Sequence, residues 1–390
     1  MSVNFDRVIE RRSTSDLKWR PEGLKGYLPI TVSENEIPMW LADMDLACPT
    51  CIVDAIKARA DKEIFGYCSY KEEYYDALKW WYGKRFGLDF DPARVSMMPT
   101  VVSAINMAIR AFSNPGDKVI IQQPVYEPFA GLIAKTGRVM VNNGLICKDG
   151  RYEMDFGLLE AQTADPDAKI LVLCSPHNPV GRVWTREELT RVGEICKRNG
   201  VLVVSDEIHS DIVFHSNTHT PFPMASDAPH ILCTAPGKTF NVAGLRISNM
   251  LSSSVEIKQR YDQEINACSF SSANTFALEA VRAAYSPEGE AWLEELLPFL
   301  EGNAKIVEEW ARAHNVGYTK SEGTFLSWLD FSTVGMTDAD VMQKIIIGQE
   351  VVCVPGPWFG RGGEGHLRLN IGCTRATLNE ALKRIESVLK

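Results

Sequence analysis

Lys238 lies in the stretch TAPGKTFNVAGLR, between the turn signal Ala235-Pro236-Gly237 and the small apolar run Ala243-Gly244-Leu245. An amine held there is partly withdrawn from water. Burial disfavours its ammonium form, and the free amine is a nucleophile toward a carbonyl. The same stretch also suits a lysine whose stem packs under a loop while its amine snorkels to solvent. Asp206, in VVSDEIHSD, ends an apolar run where a carboxylate is costly without a partner. A cationic ring nitrogen would supply that partner, but so would a salt bridge, and an aspartate there would also cap a helix. Asn178, in SPHNPVGR, has an amide able to hydrogen-bond a ring oxygen, while Asn-Pro is equally a turn starter. Thr100-Val101-Val102 open a helical pattern whose free N–H groups and dipole suit an anion such as phosphate. Arg246 would add a charge-assisted hydrogen bond, and Tyr126, in QQPVYEPF, would stack on a ring or belong to the core.

The elements that must hold these groups alternate along the chain. Helical periodicity is expected over 49–59, 71–86, 101–112, 156–161 and 186–198, and apolar strands over 118–121, 138–142, 169–174, 201–205 and 231–234. Strands that are nearly continuous apolar runs, separated by helices, predict an α/β fold: a three-layer α/β/α domain around a mostly parallel sheet. Such sheets bind ligands at the carboxyl ends of their strands, which is where Asn178, Asp206 and Lys238 fall. After 285–287 the chain turns to a long acidic helix over 288–314, then a strand over 366–371 and a helix to the end. The expected division is an N-terminal arm (1–48) joining the small domain, a large domain (49–286), and a smaller α+β C-terminal domain (287–390).

Composition narrows the partners. The 390 residues carry 41 Lys+Arg against 50 Asp+Glu, a net charge of -9, which disfavours nucleic acid or an acidic membrane surface. No apolar run approaches a membrane span and the N-terminus lacks a signal-peptide pattern, so a cytoplasmic protein is expected. The ten cysteines are scattered through apolar runs and read as reduced core residues. Cys48 and Cys51 have redox-motif spacing but stand where a helix starts. His209, His215 and His219 fit no familiar metal spacing, so no metal is expected. The glycine-rich Gly360–Gly365 stretch precedes a strand, not a helix, and reads as a loop rather than a dinucleotide site.

The ordered motifs PTVVSAINMAIRAFSNPGDKVIIQQPVYEPF, SPHNPVGRVW, VVSDEIHSD, APGKTFNVAGLR and LRLNIGCTR resemble those of fold-type I pyridoxal phosphate enzymes, the class I/II aminotransferase superfamily, over nearly the whole chain. FDRVIERRSTSDLKW, MWLADMDLACP and FGYCSYKEEYY resemble its cystathionine/cysteine β-lyase branch, the C-S lyases. The resemblance implies pyridoxal 5'-phosphate as cofactor, Lys238 as its Schiff-base lysine, Asp206 as partner of the pyridine nitrogen and Asn178 as donor to the ring hydroxyl. It also implies that Tyr126 stacks on the ring, that Val101 and Val102 supply phosphate-binding amides, and that Tyr67 reaches the phosphate of a neighbouring subunit in a homodimer. Arg368 would clamp the substrate α-carboxylate, with an ordinary strand salt bridge as its plainer role and Arg375 as the other candidate clamp. Two positions depart from many aminotransferases. Ala235 removes a phosphate-binding hydroxyl, for which Thr234 would substitute, and His209 brings an imidazole near the ring oxygen. Arg246 is the aminotransferase-like choice.

The implied activity is a β-lyase acting on cystathionine, cystine or cysteine conjugates, releasing thiol, pyruvate and ammonia. An aminotransferase acting on an L-amino acid is the alternative enzyme, and a regulatory partner protein that keeps the fold without needing turnover is an alternative of another class.

Overall fold

The computed structural model describes residues 3–20, 35–214, 216–270 and 273–389. His215 and the 21–34 part of the N-terminal arm lie outside them. The strands of the large sheet are β1 (Val95–Met98), β2 (Lys118–Ile121), β3 (Val139–Asn142), β4 (Ala168–Cys174), β5 (Leu202–Asp206), β6 (His230–Thr234) and β7 (Ser248–Ser252), in the spatial order β1-β7-β6-β5-β4-β2-β3. Pairing is parallel from β3 through β6, and only β7 runs against its neighbours β6 and β1. The longer helices are α1 (Thr50–Ala60), α2 (Glu72–Phe86), α3 (Val101–Phe112), α4 (Pro128–Lys135), α5 (Phe156–Thr163), α6 (Arg186–Asn199), α7 (Val255–Ala267), α8 (Thr275–Ala284), α9 (Pro287–Ala313) and α10 (Arg375–Glu386).

Strand alternation sorts side chains onto two faces. In β4, Ile170, Val172 and Cys174 join the core made with α3, α4 and α7, while Leu171 and Leu173 join the core made with α5 and α6. This is the expected three-layer arrangement. Helix α3 forms because Val101, Ala104, Ile105, Ala108 and Ile109 repeat on one buried face, and because Thr100 starts it with a reciprocal capping box to Ser103. Helix α6 is bounded in the same way by the Thr185–Glu188 box and by Gly200 in the left-handed region.

A four-stranded antiparallel sheet follows: β8 (Gly317–Thr319), β9 (Leu326–Asp330), β10 (Val354–Pro355) and β11 (His366–Asn370), ordered β8-β9-β11-β10. The arm docks on this part of the chain, where Ile37–Pro38 pair in parallel with Val351–Val352. The segment 40–46 then crosses to the carboxyl ends of the large sheet. Its carbonyls are taken up by side chains from far along the chain: Trp40 by Arg368, Leu41 and Asp43 by Asn370, Met44 and Leu46 by Asn241. Lys18 donates to the Asp43 carbonyl and to the Asp45 carboxylate, and Arg11 bonds Asp43, Met44 and Asp45. The Gly360–Gly365 stretch is a turn, with Gly360 at φ 88° lying against the Gln123 side chain where a Cβ would collide.

All ten cysteines are free thiols. Among the described residues no helix is long and apolar enough to cross a membrane, and no cluster of His, Cys, Asp and Glu could hold a metal.

Candidate active site

One cavity opens at the carboxyl ends of the parallel strands. Lys238, Asp206, Asn178, Tyr126, His209, Arg246, Val101 and Val102 all line it. They arrive from several segments far apart in the sequence. Lys238 stands on the one-turn helix Pro236–Thr239, which follows β6 directly and is set by Pro236 at its first position. Gly237 lets this turn approach Ala243, whose Cα would lie 3.3 Å from an added Cβ. The Lys238 amine donates to the Ala42 carbonyl on the 40–46 segment. Burial pulls its pKa down to about 8, with Asp43 opposing and Arg368 reinforcing that shift. At pH 7 roughly a tenth of this amine is therefore unprotonated, far more than for a lysine of ordinary pKa.

Asp206 ends β5 and is buried. Its carboxylate accepts from the Ile208 amide at 3.2 Å and takes part in no ion pair among the described residues. Burial pushes its pKa up to about 7, against the Ile208 bond and the charge of Lys238. A carboxylate so placed gains by facing a cation. His209, three residues on, is held neutral by burial, its pKa pushed down to about 3, and its Nδ1 has no hydrogen-bond partner among the described residues.

Val101 and Val102 are the first two residues of α3. The capping box satisfies the Ser103 amide, whereas amides in a first helical turn have no intrahelical acceptor, leaving donors and the positive end of the dipole at the cavity wall. Arg246 holds φ 52°, the left-handed region, and its side chain is exposed at the cavity edge. Tyr126 stands edge-on to Phe129, with ring centroids 5.6 Å apart.

Arg368 does not line the cavity itself but lies directly behind it. From the middle of β11 its Nη1 donates to Asn178 Oδ1 at 3.1 Å and its Nη2 to the Trp40 carbonyl at 2.6 Å. Its guanidinium covers the Phe359 ring at 5.0 Å and its Nε lacks a partner among the described residues. Arg375, by contrast, sits at the start of α10 beside Asp6, half-exposed and away from the cavity.

Two expected residues are not brought in. Thr234 does not line the cavity. It shares with Leu232 the face of β6 opposite Ile231 and Cys233, lines a small apolar cavity with Leu78 and Tyr82, and donates to the Asn249 carbonyl at 3.4 Å. Strand alternation thus turns its hydroxyl away, and the substitution expected for the hydroxyl lost at Ala235 does not occur. Tyr67 is fully exposed on a separate groove with Arg59, Cys68 and Arg282, and within one chain it reaches nothing in the cavity. Sequence reasoning missed the 40–46 segment as a wall of the site. Its apolar run MWLADM, with acidic residues interleaved, is the signal that the arm has to be buried, but the lysine it meets is almost two hundred positions away.

The aminotransferase class I and II family model matches residues 36–385. Cystathionine beta-lyase PatB from Bacillus subtilis is 40% identical over 392 aligned residues, covering 99% of this chain and all of that protein. Cystalysin from Treponema denticola, solved with a pyridoxal 5'-phosphate cofactor, superposes with a TM-score of 0.94 at 32% identity, over 99% of this chain and 98% of its own. The C-S lyase from Staphylococcus hominis, solved with bound pyridoxal phosphate and the inhibitor L-cycloserine, does so with a TM-score of 0.93 at 31% identity, over 100% and 99%. The mostly parallel sheet, the lysine after its sixth strand and the full-length similarity agree, and the chain belongs to the aminotransferase class I and II family.

Proposed function

We propose that this chain is a pyridoxal 5'-phosphate-dependent carbon–sulfur β-lyase that cleaves cystathionine, cystine or cysteine conjugates to a thiol, pyruvate and ammonia. The observation that carries the reading is the presence, in one cavity lining, of the Lys238 amine and the buried carboxylate of Asp206, which has no ion-pair partner among the described residues. The full-length similarity to cystathionine beta-lyase PatB and to two C-S lyases favours the lyase branch.

The residues present fit the cofactor. When bound, pyridoxal phosphate supplies an aldehyde for an amine and a ring that takes up the electron pair left at Cα. The unpaired Asp206 carboxylate would hold a proton on the pyridine nitrogen. The Val101 and Val102 amides, with Arg246 beside them, would hold the phosphate. Asn178 and the neutral His209 would face the ring oxygen, and Tyr126 would cover the ring. Arg368 would hold the substrate α-carboxylate as a two-pronged donor, orienting Cα toward Lys238. Lys238 Nζ would take the Cα proton and return a proton to the departing sulfur. Overall, cystathionine and water give homocysteine, pyruvate and ammonia.

We also propose the division into an arm (1–48), a large domain (49–286) and a small domain (287–390), supported by the grouping of strands β1–β7 and β8–β11 on either side of residue 286. A homodimer is proposed on the exposed apolar run Ile64, Phe65 and Tyr67, an unusual cost for a monomer. Ten free cysteines suit a reducing, cytoplasmic setting.

The test supplies cystathionine to the purified protein without any keto acid and measures pyruvate and thiol. Release of both supports the lyase. No release, with amino transfer appearing once a keto acid is added, replaces it by the aminotransferase.

A further inference from the structure

Asp211 is a buried carboxylate for which the proposed reaction has no use. It lies five residues after Asp206 in the same stretch, yet its carboxylate faces away from the cavity and gathers groups from two other segments. Oδ2 accepts from the Thr239 hydroxyl at 2.9 Å, Oδ1 accepts from Trp81 Nε1 at 3.1 Å, and Arg85 Nε pairs with Oδ1 at 3.1 Å. Thr239 is the residue next to Lys238, and Trp81 and Arg85 both stand on α2. Arg85 reaches outward in turn, donating to Glu294 on α9 at 2.9 Å. Phe240 completes the anchorage, lying edge-on to Trp81 with centroids 5.3 Å apart.

The one-turn helix that carries Lys238 is too short to hold itself, since a single turn fixes several dihedral angles for one hydrogen bond. Its orientation must come from outside. Lys238 projects to the cavity on one side, while Thr239 and Phe240 are fully buried on the other. Between the turn and the scaffold of α2, the polar link is the Thr239–Asp211 bond. Without it the buried Oδ2 would have no hydrogen-bond partner among the described residues, so the bond is strongly favoured once Trp81 and Arg85 have fixed the carboxylate through Oδ1.

We propose that Asp211 and Thr239 are a positioning pair that sets the reach of the Lys238 amine. This rests on the proposed cofactor chemistry at Lys238. Neither residue touches substrate. The pair acts through the backbone of the lysine turn, where a displacement of about 1 Å is enough to cost on the order of a hundredfold in rate.

Thr239→Val removes the hydroxyl at nearly constant volume, and Thr239→Ser restores it. Full-length proteins are freed of cofactor, pyridoxal phosphate is added, and the rate at which the Lys238-dependent visible band appears is followed. Lyase kinetics and thermal unfolding are measured on the reloaded proteins. The expected result is band formation and kcat slowed about tenfold or more in Thr239→Val, with KM within about twofold, and Thr239→Ser close to wild type. The unfolding midpoint of the valine variant should stay within about 5 °C of wild type. Unchanged band formation and kcat in Thr239→Val would overturn the proposal, as would losses that Thr239→Ser shares. If the valine variant does not fold, Asp211→Asn, which keeps an acceptor for Thr239, and Asp211→Leu, which does not, are compared by the same measurements, and equal behaviour of the two overturns it. Band formation needs no substrate, so absence of pyruvate from the wild type would sink the lyase reading and leave the positioning pair to be judged on the band. A wild type that forms no band at all overturns both.

Discussion

The guanidinium of Arg368 donates to the side-chain oxygen of Asn178 at 3.1 Å, so the last strand of the small sheet meets the loop after β4 of the large one at a charge-assisted hydrogen bond. Arg368 also holds the Trp40 carbonyl, while Nε has no partner among the described residues and each terminal nitrogen keeps a second N–H, and burial pulls its pKa down to about 10. A lysine cannot reproduce this fork. Arg368→Lys is expected to lower kcat/KM for cystathionine by about 10- to 100-fold, the equivalent of a lost charge-assisted hydrogen bond. Steady-state kinetics check this. An unchanged kcat/KM would remove Arg368 from substrate binding.

Lys238→Ala is expected to abolish the visible cofactor band and to lower turnover by at least about 10²- to 10⁴-fold, the usual contribution of a general base. Absorption spectra of the purified variant and a pyruvate assay decide it. A band that survives in Lys238→Ala would place the Schiff base elsewhere.

Asp206 gives a pH dependence with a definite sign. Its folded pKa, pushed up to about 7, exceeds the ordinary 3.8, so its contribution to stability is present below about pH 4 and is lost as pH rises through 7. The full extent is about 4 kcal/mol at most. Asp206→Asn removes the dependence. In cofactor-free protein, the stability of the asparagine variant relative to wild type should therefore rise between about pH 4 and 7. Buried His209 and His177 titrate in both proteins and cancel in the difference. Urea unfolding of both proteins across this range measures it, and a flat difference would contradict it.

Asn370 donates to the carbonyls of both Leu41 and Asp43. Asn370→Ala removes two hydrogen bonds from the 40–46 segment, leaving the Asp43 carbonyl to Lys18 and the Leu41 carbonyl to the Asp43 amide, and is expected to destabilise the protein by about 1–3 kcal/mol, with activity reduced because Ala42 faces Lys238 on the same segment. Denaturant unfolding and the pyruvate assay read the two effects.

Tyr67→Ala and Lys238→Ala should each be inactive alone if Tyr67 serves a neighbouring subunit's site. Mixed after partial unfolding and refolding, they should recover about one quarter of wild-type activity, since half the dimers are hybrid and each hybrid has one complete site. No recovery would deny the shared site.

Much of this architecture was legible because local patterns and tertiary demands agree. Helix α3 and strand β2 begin and end where periodicity and turn residues put them, and Asn178, Asp206 and Lys238 follow strand ends, as the parallel topology requires. The reading failed where the signal was mixed. Strands β1 (VSMM) and β7 (SNMLS) carry serine and asparagine that meet distant partners, Ser96 donating to Asp262 and Asn249 accepting from Tyr74, so no apolar run announced them. Thr234 was misplaced because the parity of a strand cannot be fixed from its sequence without knowing which face meets which helix. The 40–46 segment has no periodicity, and its carbonyls are held by side chains that the sequence scatters from Arg11 to Asn370.

That scattering sets an order of events during synthesis. When the ribosome has made Lys238, the strands that aim it already exist, but Arg368 and Asn370 have not been translated, and the stretch around Ala42 has nothing to hold it over the amine. Contacts between residues some 330 positions apart are the slowest to form. The nascent chain therefore presents an unroofed lysine from the making of residue 238 until the final strand emerges, and the pocket matures only then.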